Sequence, residues 1–205
     1  MRQLGVGPGE PLIGYYLTHP QVAIDPAVPV PDWSLSALGR DRIAGALDRS
    51  WLQTIRRVVS SSEQKAIETA GPIAARLGLP FETHHELDEN DRSATGFITP
   101  DRFEAAADAF FGEPEKSWRG WERAVDAQAR IVDAVARILS THDQTQPILF
   151  AGHGGVGTLL KCHIENVPIA RQKDQPGGGG NIYAFSLADR TLLADWTAIE
   201  QFDGV

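Results

Sequence analysis

The stretch that decides the fold runs from Pro147 to Gly157 and has the sequence Pro-Ile-Leu-Phe-Ala-Gly-His-Gly-Gly-Val-Gly. Its first five residues are almost entirely apolar, which predicts a buried strand over 147–151. A glycine-rich turn with His153 at its centre follows at once, and a helix is predicted from about 156 to 164. A strand, a glycine-rich turn and a helix in direct succession are typical of α/β proteins.

The same alternation of strands and helices extends outward from this stretch. Further strands are predicted at Leu12–Leu17, Val58–Val59, Ile182–Leu187 and Thr191–Trp196. Further helices are predicted at Ser36–Trp51 with Ser36 as N-cap, from Ala66 to a stop at Gly78, at 101–111 and at 119–140. Four prolines make residues 20–34 a loop, and the polar segment 81–99 has no clear periodicity. This order predicts one domain over residues 1–205, a three-layer α/β sandwich with a mainly parallel central sheet.

Composition narrows the classes of function. The 205 residues carry 19 Lys+Arg against 27 Asp+Glu, a net charge of −8, which argues against a nucleic-acid partner because such partners need a concentrated basic face. No stretch approaches the ~18 apolar residues of a membrane span, and residues 1–7 lack the apolar run of a signal peptide. The single cysteine excludes a disulfide framework. A cytoplasmic protein is expected; nothing in the sequence indicates its oligomeric state.

Polar residues follow three of the predicted strands. In an open parallel sheet, ligands bind beyond the carboxyl ends of the strands, so these residues are the candidates for a site. The three segments are Thr18-His19-Pro20-Gln21, Ser60-Ser61-Ser62 with Lys65 one helical turn on, and Gly152-His153-Gly154-Gly155. Taken singly, each histidine or lysine has a structural explanation. Two histidines and a lysine after three separate strands together predict one pocket.

In these segments, and in their order, the chain resembles the histidine phosphatase superfamily, the phosphoglycerate mutase-like proteins, as a divergent member. The family's first strand ends in Arg-His-Gly-Glu/Gln, and its first helix opens with Leu-Ser/Thr-x-x-Gly-Arg, which Leu35-Ser36-Ala37-Leu38-Gly39-Arg40 matches. The family's Ser-Ser-x-x-x-Arg-Ala-x-x-Thr-Ala corresponds to Ser60–Ala70, with Lys65 in place of arginine. Leu87-Asp88-Glu89, Phe150–Val156 and Asn181 resemble the later segments. The resemblance covers about residues 12–200.

The resemblance implies phosphoryl transfer through a phosphohistidine, with a small phosphate ester as substrate. His19 would be the nucleophile, and His153 and Lys65 would contact the equatorial phosphoryl oxygens. Glu89 would protonate the leaving oxygen and then activate water, a role that favours a pKa near the working pH. The binding site would be completed by Thr18, Gln21, Ser61 and Gly154. The resemblance implies neither a cofactor nor a metal.

Three departures from the family pattern weaken the expected phosphate site. Thr18 stands where the family has arginine, so a charged and forked donor is lost. Pro20 replaces a glycine and removes an amide donor, and Asp25 replaces an expected asparagine. Each lost charged hydrogen bond is worth about 1.5–3 kcal/mol. A family member that has lost catalysis and binds a small molecule or a protein partner is therefore the alternative to an active phosphatase.

Two glycine-rich segments leave further alternatives open. Gly152–Gly157 also spells Gly-x-Gly-x-x-Gly, the dinucleotide fingerprint, although the acidic residue about 20 positions later, Asp174, does not follow a predicted strand. Gly177–Gly180 is either a flexible loop or a flank of the pocket whose amides approach an anion.

Overall fold

The computed structural model describes residues 12–205; the N-terminal segment that was compared with a signal peptide lies outside the described residues. The strands are β1 Ile13–Thr18, β2 Arg57–Ser61, β3 Phe81–His84, β4 Ile148–Gly152, β5 Asn181–Ser186 and β6 Leu192–Ala198. The helices are α1 Ala37–Ala46, α2 Gln64–Leu77, α3 Pro100–Gly112, α4 Ala124–Ser140 and α5 Gly154–Ile164.

The six strands form one sheet in the order β3-β2-β4-β1-β5-β6. The pairings β3–β2, β2–β4 and β4–β1 are parallel, whereas β1–β5 and β5–β6 are antiparallel. The prediction of a mainly parallel sheet is therefore confirmed. Its four inner strands are buried, as expected of strands covered on both faces.

Two apolar cores lie on opposite faces of the sheet and make the structure three-layered. Because side chains alternate along a strand, Tyr16 of β1 joins one core, with α3, α4 and α5, and Tyr15 joins the other, with α1 and α2. The α4 helix contributes a buried stripe, Ala124, Ala127, Ile131, Ala134, Val135, Ile138 and Leu139, at helical spacing.

The sheet register brings the candidate residues to one edge. Thr18 at the end of β1 pairs with Gly152 at the end of β4, and Ser60 near the end of β2 pairs with Ala151. The amide of His19 donates to the Gly152 carbonyl over 2.9 Å, which fixes the first residue after β1 against β4. Three strand ends therefore face one site, as predicted.

Apart from shifts of one or two residues at the ends of elements, the structure differs from the predictions at three places. The first helix ends at Ala46, and Trp51 lies in a separate 3₁₀ turn, Ser50–Thr54, where its ring packs 5.1 Å from that of Tyr15. The fourth helix begins at Ala124 instead of 119, because Arg119 and Gly120 have φ of 48° and 88°, outside the helical range.

The third difference is β3, which the sequence did not indicate. Its four residues pair with β2 at the edge of the sheet, and two of them are exposed, so they carry no apolar alternation.

The predicted N-cap and C-terminal stop are confirmed: Ser36 Oγ accepts from the Gly39 amide, and Gly78 adopts φ 64° after α2. Within residues 12–205 no helix combines the length and the apolar character that a membrane crossing requires.

Candidate active site

The two histidines that follow β1 and β4 lie side by side. The ring centroids of His19 and His153 are 5.2 Å apart, with the ring planes inclined by 67°. His153 is fully buried, and His19 is partly buried. The two histidines therefore lie together at the carboxyl ends of β1 and β4.

The backbone holds His19 in one tautomer. Its Nδ1 lies 2.9 Å from the carbonyl oxygen of Pro20, which can only accept, so Nδ1 carries the proton and Nε2 keeps a free lone pair. Burial and the neighbouring His153 lower the pKa of His19 to about 3. The imidazole is therefore neutral near pH 7, as a nucleophilic nitrogen must be.

His153 is held through its other ring nitrogen. Its Nε2 lies 2.7 Å from Ser61 Oγ, and that hydroxyl lies 2.6 Å from a carboxylate oxygen of Asp88. The single hydroxyl proton of Ser61 must go to the carboxylate, so Nε2 of His153 is the donor to Ser61. Nδ1 of His153 is buried and has no hydrogen-bond partner among the described residues. Burial lowers the pKa of His153, although Glu63 and Glu89 act in the opposite direction.

Lys65 is buried and forms an ion pair with Glu63. The sequence did not indicate this ion pair. The Lys65 ammonium group contacts the Glu63 carboxylate and donates to the Val30 carbonyl over 2.9 Å. Glu63 also lies 3.7 Å from Nε2 of His153, so this buried carboxylate stands between the two groups expected to bind phosphate. Burial raises the pKa of Glu63, but the neighbouring His153 and Lys65 lower it to about 2. The buried carboxylate cancels the charge of Lys65.

Glu89 closes the amino end of α5. Its carboxylate accepts from the amides of Gly155 and Val156 over 3.1 and 3.0 Å, two of the donors that a helix leaves unpaired at its start. Burial raises the pKa of Glu89, but Arg92, His153 and the Gly155 amide lower it more, so the net shift is downward. The expectation of a pKa near the working pH is therefore wrong for the ligand-free protein.

Close packing explains why the 152–157 stretch is rich in glycine. A Cβ at Gly152 or Gly157 would collide with the Tyr16 side chain, whose hydroxyl contacts both the amide and the carbonyl of His153 at 3.2 Å. A Cβ at Gly155 would lie 2.6 Å from the Glu89 carboxylate. The amides that would hold a pyrophosphate in a dinucleotide site are thus occupied by Glu89, which removes the basis for that alternative.

The remaining residues predicted to bind phosphate are Thr18, Gln21, Ser61 and Gly154, and the three with side chains contact other groups of the protein. Thr18 is fully buried, and its hydroxyl contacts Gln175. The side chain of Gln21 is engaged by Arg42, whose Nη1 donates to it over 3.2 Å. Gly154 is the first residue of α5, directly after His153. Ser61 lies in the site, but it contacts Asp88 and His153.

Two loops that the sequence predicts are the glycine-rich segment Gly177–Gly180 and the loop that contains Asp25. Gly180 donates to the carbonyl of His19 over 3.0 Å, and a Cβ at Gly179 would collide with that carbonyl, so Gly177–Gly180 flanks the site instead of lying apart from it. Asp25 is exposed, and its carboxylate accepts from the Ala27 amide of its own loop. The carboxylate of Asp25 therefore stabilises a turn of its own loop.

One group of side chains has the composition of a metal site. Glu63, Asp88 and His153 each place a donor atom within 4.8 Å of the others. These donors are already engaged: the Lys65 ammonium contacts Glu63, and Asp88 accepts from the amide of Ser62 and from Ser61. The position that a cation would take beside Glu63 is held by the protein's own ammonium group.

Comparison with known proteins identifies the class. Residues 26–195 match the family described as histidine phosphatase superfamily (branch 1), a match that starts after His19. The chain belongs to this superfamily. A glucosyl-3-phosphoglycerate phosphatase of Mycobacterium tuberculosis is 26% identical over 161 residues, which are 73% of this chain and 72% of the relative.

Solved structures agree with the fold. YhfR of Bacillus stearothermophilus has a TM-score of 0.76 at 21% identity, with 92% of this chain and 99% of that chain covered. The native mycobacterial glucosyl-3-phosphoglycerate phosphatase has a TM-score of 0.72 at 22% identity, with 91% and 97% covered. The α-ribazole phosphatase of Shigella flexneri has a TM-score of 0.67 at 17% identity, with 94% and 98% covered.

Proposed function

We propose that this protein hydrolyses small phosphate monoesters through a phosphohistidine on His19, without a metal ion. The observation that carries the proposal is the hydrogen bond between His19 Nδ1 and the Pro20 carbonyl, with the His153 ring 5.2 Å away. It leaves a neutral Nε2 lone pair beside a buried second imidazole. Membership of the histidine phosphatase superfamily and the phosphatase relatives support the same activity.

In the first step, Nε2 of His19 attacks phosphorus and the bond between phosphorus and the ester oxygen breaks. His153 takes up a proton at its unpaired Nδ1 and donates to a phosphoryl oxygen, which stabilises the charge of the transition state. The Asp88–Ser61 pair holds that ring from the other side. In the second step, water attacks the phosphohistidine, and His19 is restored.

Glu89 serves both steps if the substrate changes its pKa. In the ligand-free protein the net shift of that pKa is downward, so the carboxyl group is ionised near neutral pH. A dianionic phosphate ester beside it raises the pKa of Glu89, because like charges disfavour ionisation. The protonated form then donates to the leaving oxygen, and the resulting carboxylate takes a proton from the attacking water.

Two groups of aromatic side chains are candidates for contact with the leaving group. Trp33 and Phe97 pack with ring centroids 5.5 Å apart, while Trp118 and Phe103 pack against Trp121 at 4.9 and 6.4 Å. Trp33 belongs to the segment 20–34, Phe97, Phe103 and Trp118 belong to the segment 90–120, and Trp121 lies just beyond it. We infer that the organic part of the ester lies against these aromatic side chains.

The test is hydrolysis of para-nitrophenyl phosphate in the presence of EDTA. His19→Ala should abolish turnover, and rapid acid-free quenching followed by mass spectrometry should find phosphate on His19 of the active protein. His85→Ala is the matched control, because the His85 side chain is 81% exposed and forms an ion pair with Glu86, away from the two histidines of the site. Turnover that survives in His19→Ala, or needs an added metal, would contradict the proposal. Phosphate binding without any turnover would favour the alternative of a catalytically impaired binding protein.

A further inference from the structure

The hydroxyl of Thr18 forms a hydrogen bond with the side chain of Gln175. Thr18 is fully buried; its Oγ1 accepts from the amide of Asn181 over 3.0 Å and lies 2.7 Å from Oε1 of Gln175. With its acceptor role taken by the amide, the hydroxyl donates its proton to Gln175. The side-chain amide of Gln175 therefore lies directly beside the residue that precedes His19.

The hydrogen bonds fix which way the Gln175 amide points. Nδ2 of Asn181 lies 2.9 Å from the carbonyl oxygen of Pro176, which can only accept, so that atom is the NH₂ group of Asn181. The same NH₂ group donates to Gln175 over 3.0 Å, so the Gln175 atom facing it is the oxygen. The NH₂ group of Gln175 points the other way, and within residues 12–205 no hydrogen bond from it is found.

This NH₂ group lies next to the second histidine. A Cβ at Gly154 would collide with Nε2 of Gln175, and Gly154 directly follows His153. The backbone of Gln175 is anchored there, because its amide donates to Asp174 and Asp174 accepts from the hydroxyl of Thr158 on α5. The carboxamide of Gln175 thus reaches from Thr18, which precedes His19, to Gly154, which follows His153.

A second, independent observation points to a ligand at the same place. Nδ1 of His153 is buried without a partner in the described part of the chain, and leaving a buried polar group unpaired destabilises a protein. An anionic oxygen between the histidines would pair with the protonated Nδ1 and accept from the Gln175 NH₂ group. Lys65 supplies little of this binding, because Glu63 already neutralises it.

We propose that Gln175 is a phosphate-binding residue whose NH₂ group donates to a non-bridging phosphoryl oxygen, in place of a cationic side chain at position 18. This inference rests on the proposed phosphatase function. Gln175 is a neutral donor, so it adds phosphate binding without a further buried charge that would need a partner.

Gln175→Glu is the sharpest variant. A carboxylate keeps the two acceptor contacts to Thr18 and Asn181 but has no N–H donor and repels phosphate. We expect at least a tenfold weaker affinity for inorganic phosphate by calorimetry and about a hundredfold lower kcat/KM with para-nitrophenyl phosphate. Gln172→Glu is the control, since Gln172 is an exposed residue of the preceding 3₁₀ turn and the charge change is the same. It should leave phosphate affinity within twofold of the wild type.

Gln175→Ala is measured as the second variant and should also weaken phosphate binding. A double variant, Thr18→Arg with Gln175→Ala, should bind phosphate more tightly than Gln175→Ala alone, because an arginine at 18 can then occupy the vacated space. Wild-type phosphate affinity in a folded Gln175 variant overturns the proposal. So does loss of cooperative unfolding in both Gln175 variants, because the carboxamide would then be structural. A wild-type protein that neither binds phosphate nor turns over would instead overturn the proposed function.

Discussion

Nε2 of His153 lies 2.7 Å from Oγ of Ser61, and both residues are fully buried. The contact orients the ring and decides its protonation, since Asp88 takes the hydroxyl proton of Ser61. The opposite nitrogen, Nδ1, is thereby left to take up a proton when an anion binds. A buried serine thus determines which nitrogen of His153 meets the substrate.

Ser61→Ala should lower kcat for para-nitrophenyl phosphate by about ten- to a hundredfold and destabilise the fold by about 1–3 kcal/mol, because a buried Nε2–H loses its acceptor. Ser62→Ala is the matched control: the Ser62 hydroxyl also contacts Asp88, at 2.7 Å, but it is exposed and does not contact His153. Steady-state kinetics and urea unfolding of both variants make the comparison. Equal losses in kcat would show that Ser61 acts only through Asp88.

Glu63→Gln should strengthen phosphate binding. The substitution keeps an acceptor for Lys65 but removes a negative charge from beside His153 and Lys65, so the ammonium charge becomes available to the anion. We expect about a tenfold lower inhibition constant for phosphate or vanadate, the ~1.4 kcal/mol that one charge supplies over a few ångströms in a partly screened site. Lys65→Met should change the constant in the opposite direction. Weaker inhibition of a folded Glu63→Gln protein would mean that Glu63 is needed to position Lys65.

The carboxylate of Glu63 also makes the stability of the fold depend on pH in the acid range. The pKa of Glu63 is about 2 in the folded protein and near 4.5 when the chain is unfolded, so the folded state binds its proton less well. Its contribution is present above about pH 4.5 and is lost as the pH falls toward 2. The difference in free energy of unfolding between wild type and Glu63→Gln should therefore shrink between pH 5 and pH 2.5.

Urea unfolding at a series of pH values measures this difference. Glu115→Gln, which removes an exposed carboxylate, is the control for the change in net charge. A difference between wild type and Glu63→Gln that stays constant down to pH 2.5 would show that the Lys65–Glu63 pair does not hold the carboxyl group ionised.

The sequence predicted the parts of the fold that depend on regular patterns. The apolar runs of the central strands are such patterns, and the structure confirms the strands that they predict. The edge strand β3 was missed because it is short, half exposed and polar. The start of α4 was wrong because the positive φ angles of Arg119 and Gly120 depend on tertiary contacts as well as on local sequence.

The candidate site was predicted in outline, since ordered motifs bring His19, His153, Lys65 and Glu89 to one edge of the sheet. The ion pairs and hydrogen bonds that these residues form could not be predicted from the sequence. Glu63 looked like any polar residue just before a helix, and its burial beside His153 follows only from how α2 packs. Gln175 is 157 residues from the Thr18 hydroxyl that it contacts, and no local pattern marks it.

Glu89→Gln tests the two roles of the carboxylate that closes α5. The amide keeps one acceptor for the Gly155 and Val156 amides but loses the charge that favours the helix terminus, so stability should fall by about 0.5–2 kcal/mol. Catalysis should suffer more. An alkyl phosphate, whose leaving oxygen needs a proton, should lose kcat by at least a hundredfold, whereas para-nitrophenyl phosphate should form the phosphohistidine almost normally.

Because the variant also lacks the base that activates water, phosphohistidine on His19 should accumulate during para-nitrophenyl phosphate turnover. A burst of nitrophenolate equal to the enzyme concentration, followed by slow release of phosphate, is the expected time course. Glu86→Gln is the control, since Glu86 precedes the same segment and its carboxylate contacts only surface partners, His85 and Arg137. Equal losses for alkyl and aryl esters, with no burst, would remove Glu89 from proton transfer and leave it as the cap of α5.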